Sequence, residues 1–246
     1  MKRLLCFLAI CLLFGCGKGE EATIAPKPSG GSKCKVFLAG DSTCAPKSDS
    51  QRPMYGWGEK LAGFLDGYKV DNRAVGGKST KTYISGGQWG KLLKSVVKGD
   101  VVLIQFGHND ENQTASDGRG TTLDEYYTNL CKFVTETRNK DAVPVILTPI
   151  CRCLFNEGSA RHTHGEYLTY AKKAATDSKA VLLDIEQLTW EWLDNLGEED
   201  AKLRYMVSSD DSDTTHLNEL GANEVAQIIA KALKDCGDPV LSKLAK

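Results

Sequence analysis

Asp213 and His216 stand three residues apart in DTTHLNELGAN, just ahead of a helical pattern. An aspartate that accepts from one imidazole nitrogen fixes the ring tautomer and leaves the other nitrogen facing a nucleophile. Asp210 and Asp211, in the polar run Ser208–Ser212, are rival acids. The plain alternative is a solvated loop acid beside a histidine at a helix start. A nucleophile for such a pair is available at Ser42, in Gly40-Asp41-Ser42-Thr43. Gly40 relaxes the backbone where the chain turns, and the G-x-S-x-G spacing of a nucleophile elbow is absent. Taken alone, Asp41 and Ser42 read as helix N-cap residues. Gly107-His108-Asn109-Asp110 adds a side-chain amide donor in Asn109. His108 reads there as an orienting or packing residue rather than a base. Gly76-Gly77 lets backbone N–H groups approach a ligand closely, although the spacing of a phosphate loop is missing and a plain tight turn is the alternative.

These groups act together only if the fold brings them to one edge. Short apolar runs at Val36–Ala39, Val101–Phe106, Val143–Leu147 and Val181–Leu183, with a weaker one at Tyr68–Val70, predict five buried strands. Helical periodicity lies between and after them, at Leu123–Asn139, Glu166–Ser178, Glu186–Leu196 and Glu219–Lys234. Strands alternating with helices imply βαβ units and a mostly parallel five-stranded sheet covered on both faces, a three-layer α/β/α sandwich. In such sheets ligands gather at the carboxyl ends of the strands. Ser42, Gly76 and Asn109 each follow a predicted strand.

In this order the four blocks resemble the SGNH (GDSL) hydrolase superfamily: GDS, a glycine after the second strand, GxND after the third, and DxxH near the end. The likeness runs from about Val36 to Ala232. It is strongest to the rhamnogalacturonan acetylesterase branch, through GDSTCAP (40–46), GWGEKL (56–61), NRAVGGKST (72–80), QFGHND (105–110), TPICR (148–152) and THLNELGA (215–222). Thr163–Ala175 also follows the branch, with departures at Glu166 and Leu168. The resemblance implies a flavodoxin-like fold, with Ser42 as nucleophile, His216 as general base and Asp213 as its orienting acid. It implies an oxyanion hole from the N–H groups of Ser42 and Gly76 and the amide of Asn109. Asp41, His108, Asp110 and Trp57 are expected beside the site or facing substrate. Trp57, Trp89 and Tyr83 are candidate sugar-stacking surfaces, with a place in the core as the plain alternative. No metal or organic cofactor is required. The implied activity is deacetylation of plant cell-wall polysaccharide. A short-chain esterase, lysophospholipase or thioesterase of the same fold, or a non-catalytic glycan-binding lipoprotein, are the competing readings.

The rest of the chain bounds these expectations. Its 246 residues carry a net charge of -1, which gives no sign of a nucleic-acid partner. Lys2, Arg3 and the apolar run Leu4–Phe14 read as a signal peptide, too short for a comfortable membrane span. Leu13-Phe14-Gly15-Cys16 resembles a bacterial lipobox, with lipid on Cys16. The expected organisation is therefore a signal at 1–16, a flexible Gly/Pro/Ser-containing tether at 17–33 and one catalytic domain at 34–246. A monomer anchored by lipid to the outer membrane is expected, with Glu20-Glu21 resembling a surface-export signal. Cys34, Cys44, Cys131, Cys151, Cys153 and Cys236 remain in the domain, and their pairing is open. The Cys151, Cys153, His162, His164 spacing lacks the usual gap of a structural zinc site.

Overall fold

The computed structural model describes residues 34–246; the expected signal and tether at 1–33, including Cys16, lie outside the described residues. In chain order the described residues form β1 (Lys35–Gly40), β2 (Met54–Tyr55), β3 (Lys69–Asn72), α1 (Thr80–Ser85), α2 (Gln88–Ser95), β4 (Val101–Gln105) and α3 (Leu123–Arg138). There follow β5 (Val143–Leu147), β6 (Phe155–Asn156), β7 (Ser159–Ala160), α4 (Glu166–Asp177), β8 (Val181–Leu183), α5 (Ile185–Leu196), α6 (Glu198–Lys202), β9 (Leu217–Asn218) and α7 (Glu219–Asp235). Five strands pair in the order β3-β1-β4-β5-β8, and every pairing in that sheet is parallel. This is the three-layer α/β sandwich expected from the alternation of strands and helices.

The central strands read as continuous apolar runs because both of their faces are covered. Side chains alternate between two cores. Val36, Leu38, Val101, Leu103, Val143 and Val145 enter one core, closed by Leu193 of α5 and by Val225 and Ile229 of α7. Phe37, Ala39, Val102, Ile104 and Ile146 enter the other, closed by Leu92 of α2, Phe133 of α3 and Ala171 of α4. Each large side chain so buried contributes roughly 1.5–3 kcal/mol of transfer free energy. The weak run Tyr68–Val70 is displaced: β3 spans Lys69–Asn72, in register from Lys35↔Lys69 to Leu38↔Asn72. It is the half-exposed edge strand, so Lys69 and Asp71 are tolerated and the apolar signal is faint.

β1 has β3 on one side and β4 on the other, so the chain leaves it in opposite directions. That is a topological switch point, and it opens a crevice at the carboxyl end of β1. The loops after β1, β3 and β4 carry Ser42, Gly76 and Asn109 into this crevice.

Candidate active site

Ser42 lies two residues beyond β1. Gly40 is required by close approach rather than by a relaxed backbone. A Cβ there would sit 2.4 Å from Cys44 Sγ and 2.8 Å from the Gln105 carbonyl oxygen, and its φ is not positive. The turn closes as Ala45 N donates to Asp41 O at 3.0 Å. Asp41 is fully buried. Its Oδ1 accepts from the backbone N and the hydroxyl of Thr43 at 2.9 and 2.7 Å. The Thr43 hydroxyl accepts from Gln105 Nε2 at 2.9 Å, and Gln105 Oε1 accepts from Trp57 Nε1 at 2.7 Å. A buried polar chain therefore fixes the Ser42 turn from beneath, with its groups paired as burial demands. Burial pushes the Asp41 carboxyl up, but His108 and the Thr43 donors outweigh it and hold it below the ordinary value. Burial drives His108 down to about 4, against the pull of Asp41. A neutral ring donates its Nδ1–H to Asp41 Oδ2 at 3.3 Å, and its Nε2 is enclosed without a protein partner. His108 thus orients Asp41, and the ring nitrogen that reaches Ser42 belongs to His216.

The loop before α7 supplies the other half. His216 Nε2 lies 2.8 Å from Ser42 Oγ, and His216 Nδ1 lies 2.9 Å from Asp213 Oδ2 and 3.1 Å from Oδ1. Oδ1 also accepts from the backbone N–H groups of Thr215 and His216 at 3.1 and 3.0 Å. Burial raises the Asp213 carboxyl, but the bonds from the His216 ring and backbone and from Thr215 prevail and hold it at about 2. An ionised Asp213 takes Nδ1–H and leaves the Nε2 lone pair to the serine hydroxyl. Asp210 is occupied elsewhere, since its Oδ1 accepts from the backbone N and hydroxyl of Ser212 at 3.0 and 2.7 Å. The helix N-cap is Asn218, whose Oδ1 accepts from Gly221 N at 3.1 Å.

Two neighbouring loops bring donors. A Cβ on Gly76 would lie 3.8 Å from Ser42 Cβ, so this glycine faces Ser42 across open space. Among the described residues, the N–H groups of Ser42 and Gly76 donate to no backbone acceptor. Asn109 Nδ2 donates to Lys78 O at 3.1 Å. Asp110 is buried in a loop junction, where it accepts from Thr80 N at 3.0 Å, the Thr80 hydroxyl at 2.5 Å and the Thr121 hydroxyl at 3.2 Å. Burial pushes its carboxyl up to about 7 against those bonds.

The three candidate stacking aromatics take the core alternative instead. Trp57, Trp89 and Tyr83 are all buried. Trp89 donates to Glu136 Oε2 at 2.6 Å and packs on Phe133, and Tyr83 donates to Arg73 O at 2.8 Å. They hold the loops and present no face to a sugar. Trp57 keeps its place beside the site through Gln105 and through its backbone N–H, which donates to Thr43 O at 3.0 Å.

Sequence reasoning missed the clamp on the Asp213–His216 loop. Cys153 N donates to Thr214 O at 2.8 Å, Met206 N to His216 O at 2.8 Å, and Arg152 Nε to the Thr215 hydroxyl at 3.1 Å. Arg152 is paired in turn with Glu111, which also meets the buried His164 at 3.1 Å. TPICR contained the arginine, but nothing local pointed to its partner. Glu111, Arg152 and His164 line a cleft of about 610 Å³ that also touches His108 and Tyr167. His162 and His164 are bound to Glu186 and Glu111, Cys151 Sγ donates to Arg161 O, and among the described residues no cluster is placed to hold a metal ion.

Comparison with known proteins agrees with this geometry. The chain is 33% identical over 225 residues to rhamnogalacturonan acetylesterase RhgT of Bacillus subtilis, covering 85% of this chain and 94% of that one. It is 30% identical over 212 residues to the probable rhamnogalacturonan acetylesterase YesY of the same organism, covering 86% and 97%. The crystal structure of Bacillus subtilis YxiM superposes with a TM-score of 0.75 at 25% identity, over 84% of this chain, which spans 58% of that protein. Residues 38–223 match the GDSL-like lipase/acylhydrolase family across the sheet, the crevice and the Asp213–His216 loop, and the chain belongs to that family.

Proposed function

We propose that the protein is a serine esterase that removes O-acetyl groups from plant cell-wall polysaccharide, rhamnogalacturonan first, through an acyl-enzyme on Ser42. The observation that carries the mechanism is the line of hydrogen bonds from Asp213 through His216 to the Ser42 hydroxyl. A serine hydroxyl holds almost no alkoxide at neutral pH and needs an adjacent base. Ser42 Oγ attacks the acetyl carbonyl as its proton passes to His216 Nε2. The tetrahedral oxyanion is met by the N–H groups of Ser42 and Gly76 and by Asn109 Nδ2, each such donor contributing about 3 kcal/mol. His216 then protonates the departing sugar oxygen, and in the second half activates the water that releases acetate. The polysaccharide is supported by the two Bacillus subtilis relatives, both named for rhamnogalacturonan. Export as a lipoprotein through Cys16 belongs to the same reading and is supported by Lys2, Arg3, the apolar run and Leu13-Phe14-Gly15-Cys16.

The test is acetate release from acetylated rhamnogalacturonan and acetylated xylan, with Ser42→Ala alongside. Release is expected from the first, falling by about 10⁴-fold or more in the variant. No release, or release unchanged in Ser42→Ala, overturns the proposal. An optimum at long acyl chains in a p-nitrophenyl ester series would replace the acetyl reading with a lipase-like one.

A further inference from the structure

We infer that Arg119 is a positioning residue that holds the amide of Asn109 in the one orientation able to meet an oxyanion. The inference rests on the reading of Asn109 as an oxyanion donor. Arg119 Nη1 donates to Asn109 Oδ1 at 3.1 Å, while Asn109 Nδ2 donates to Lys78 O at 3.1 Å. A carboxamide can turn over and exchange its oxygen and nitrogen. Turned over here, its NH₂ would face a guanidinium and its oxygen a carbonyl, so both bonds would become repulsions. Lys78 O takes one of the two Nδ2 hydrogens, and the second is left for the substrate. With Arg119 absent, only the single bond to Lys78 O distinguishes the two orientations.

Arg119 is itself fixed. Its Nε and Nη2 lie 2.9 and 2.6 Å from the two oxygens of Asp117, and its backbone N donates to Asp117 Oδ1 at 3.2 Å. That fork occupies one edge of the guanidinium and leaves Nη1 for Asn109, a division that a lysine ammonium does not reproduce. The guanidinium also lies along the glycine loop. Gly77 has φ +73, and a Cβ on it would stand 3.6 Å from Arg119 Nη1. A charged donor on Oδ1 further polarises the amide and strengthens its remaining N–H.

The test uses p-nitrophenyl acetate, whose small leaving group isolates the chemical step from polymer binding. Arg119→Ala is expected to lower kcat about tenfold, part of the 10²–10³-fold typical of losing an oxyanion donor, with KM within about twofold. Arg119→Lys should fall between, and millimolar guanidinium should restore part of the Arg119→Ala rate. In an Asn109→Ala background, Arg119→Ala should add nothing, because the two act through one group. A kcat within about twofold of wild type in Arg119→Ala, or an equal further loss in the Asn109→Ala background, overturns the inference. Asn109→Ala with an undiminished kcat would instead overturn the oxyanion reading itself, and this inference with it.

Discussion

Asp213 divides its oxygens between two tasks. Oδ1 takes the backbone N–H groups of Thr215 and His216, and Oδ2 makes the shorter approach to the imidazole Nδ1. Asn at this position must keep an oxygen on the two backbone donors. Its NH₂ then replaces Oδ2, faces Nδ1 and selects the tautomer whose proton sits on Nε2, toward Ser42. Asp213→Asn is therefore expected to lose about 10⁴-fold in kcat, as the same change does in other triads, while its loop geometry and thermal midpoint stay near wild type. Steady-state kinetics with thermal unfolding checks this. A loss below about tenfold would mean that the acid contributes little and that the backbone bonds alone hold the loop.

At the scale of elements, β1, β4 and β5 were legible because strands buried on both faces are written in apolar residues throughout. α3 was legible at its start because Thr122 and Glu125 form a capping box ahead of its periodic face. α1, α2 and α6 were not, being short and interrupted by glycine or charge. The same division holds in the site. Ser42, Gly76, Asn109, Asp213 and His216 are marked by residue type at the ends of predicted elements. Arg119, Glu111 and Arg152 are ordinary charged residues whose meaning comes from partners that only tertiary packing supplies, as when Arg152 meets Thr215 across 63 residues. That contact carries a prediction. Arg152→Met leaves Glu111 and the buried His164 without their cation and frees Thr215. A fully buried pair broken this way costs about 3–5 kcal/mol; Arg152 and Glu111 are partly exposed, so about 2 kcal/mol is expected by chemical denaturation. Because the acid-base loop loosens with it, kcat should fall as well. Unchanged stability and unchanged kcat would show that the Cys153–Thr214 and Met206–His216 backbone bonds suffice.

Across the whole molecule, the sheet separates two cores, and the cysteines report on both. Cys44, Cys151 and Cys153 are buried in the core closed by α5 and α7, Cys236 packs against that core, and Cys131 packs against the other. All six cysteines of the described residues are free thiols, with Cys34, Cys131 and Cys236 only partly covered. Burial pushes Cys44 well above the ordinary thiol value, Cys151 up to about 12 and Cys153 up to about 11. The thiolate is the reactive form, so these three are both enclosed and protonated. Iodoacetamide at neutral pH should label Cys34, Cys131 and Cys236 in the folded protein. Cys44, Cys151 and Cys153 should react only through global unfolding, slowed by about 10⁴-fold or more for a domain of ordinary stability. Peptide mass spectrometry against time reads each site, and a reductant should leave the unfolding midpoint unmoved. Cys44 is the decisive position, because it lies two residues from Ser42 and packs against Gly40. If it labels as fast as Cys131, the nucleophile turn opens without the rest of the fold, and the buried chain from Asp41 to Trp57 does not hold it rigid.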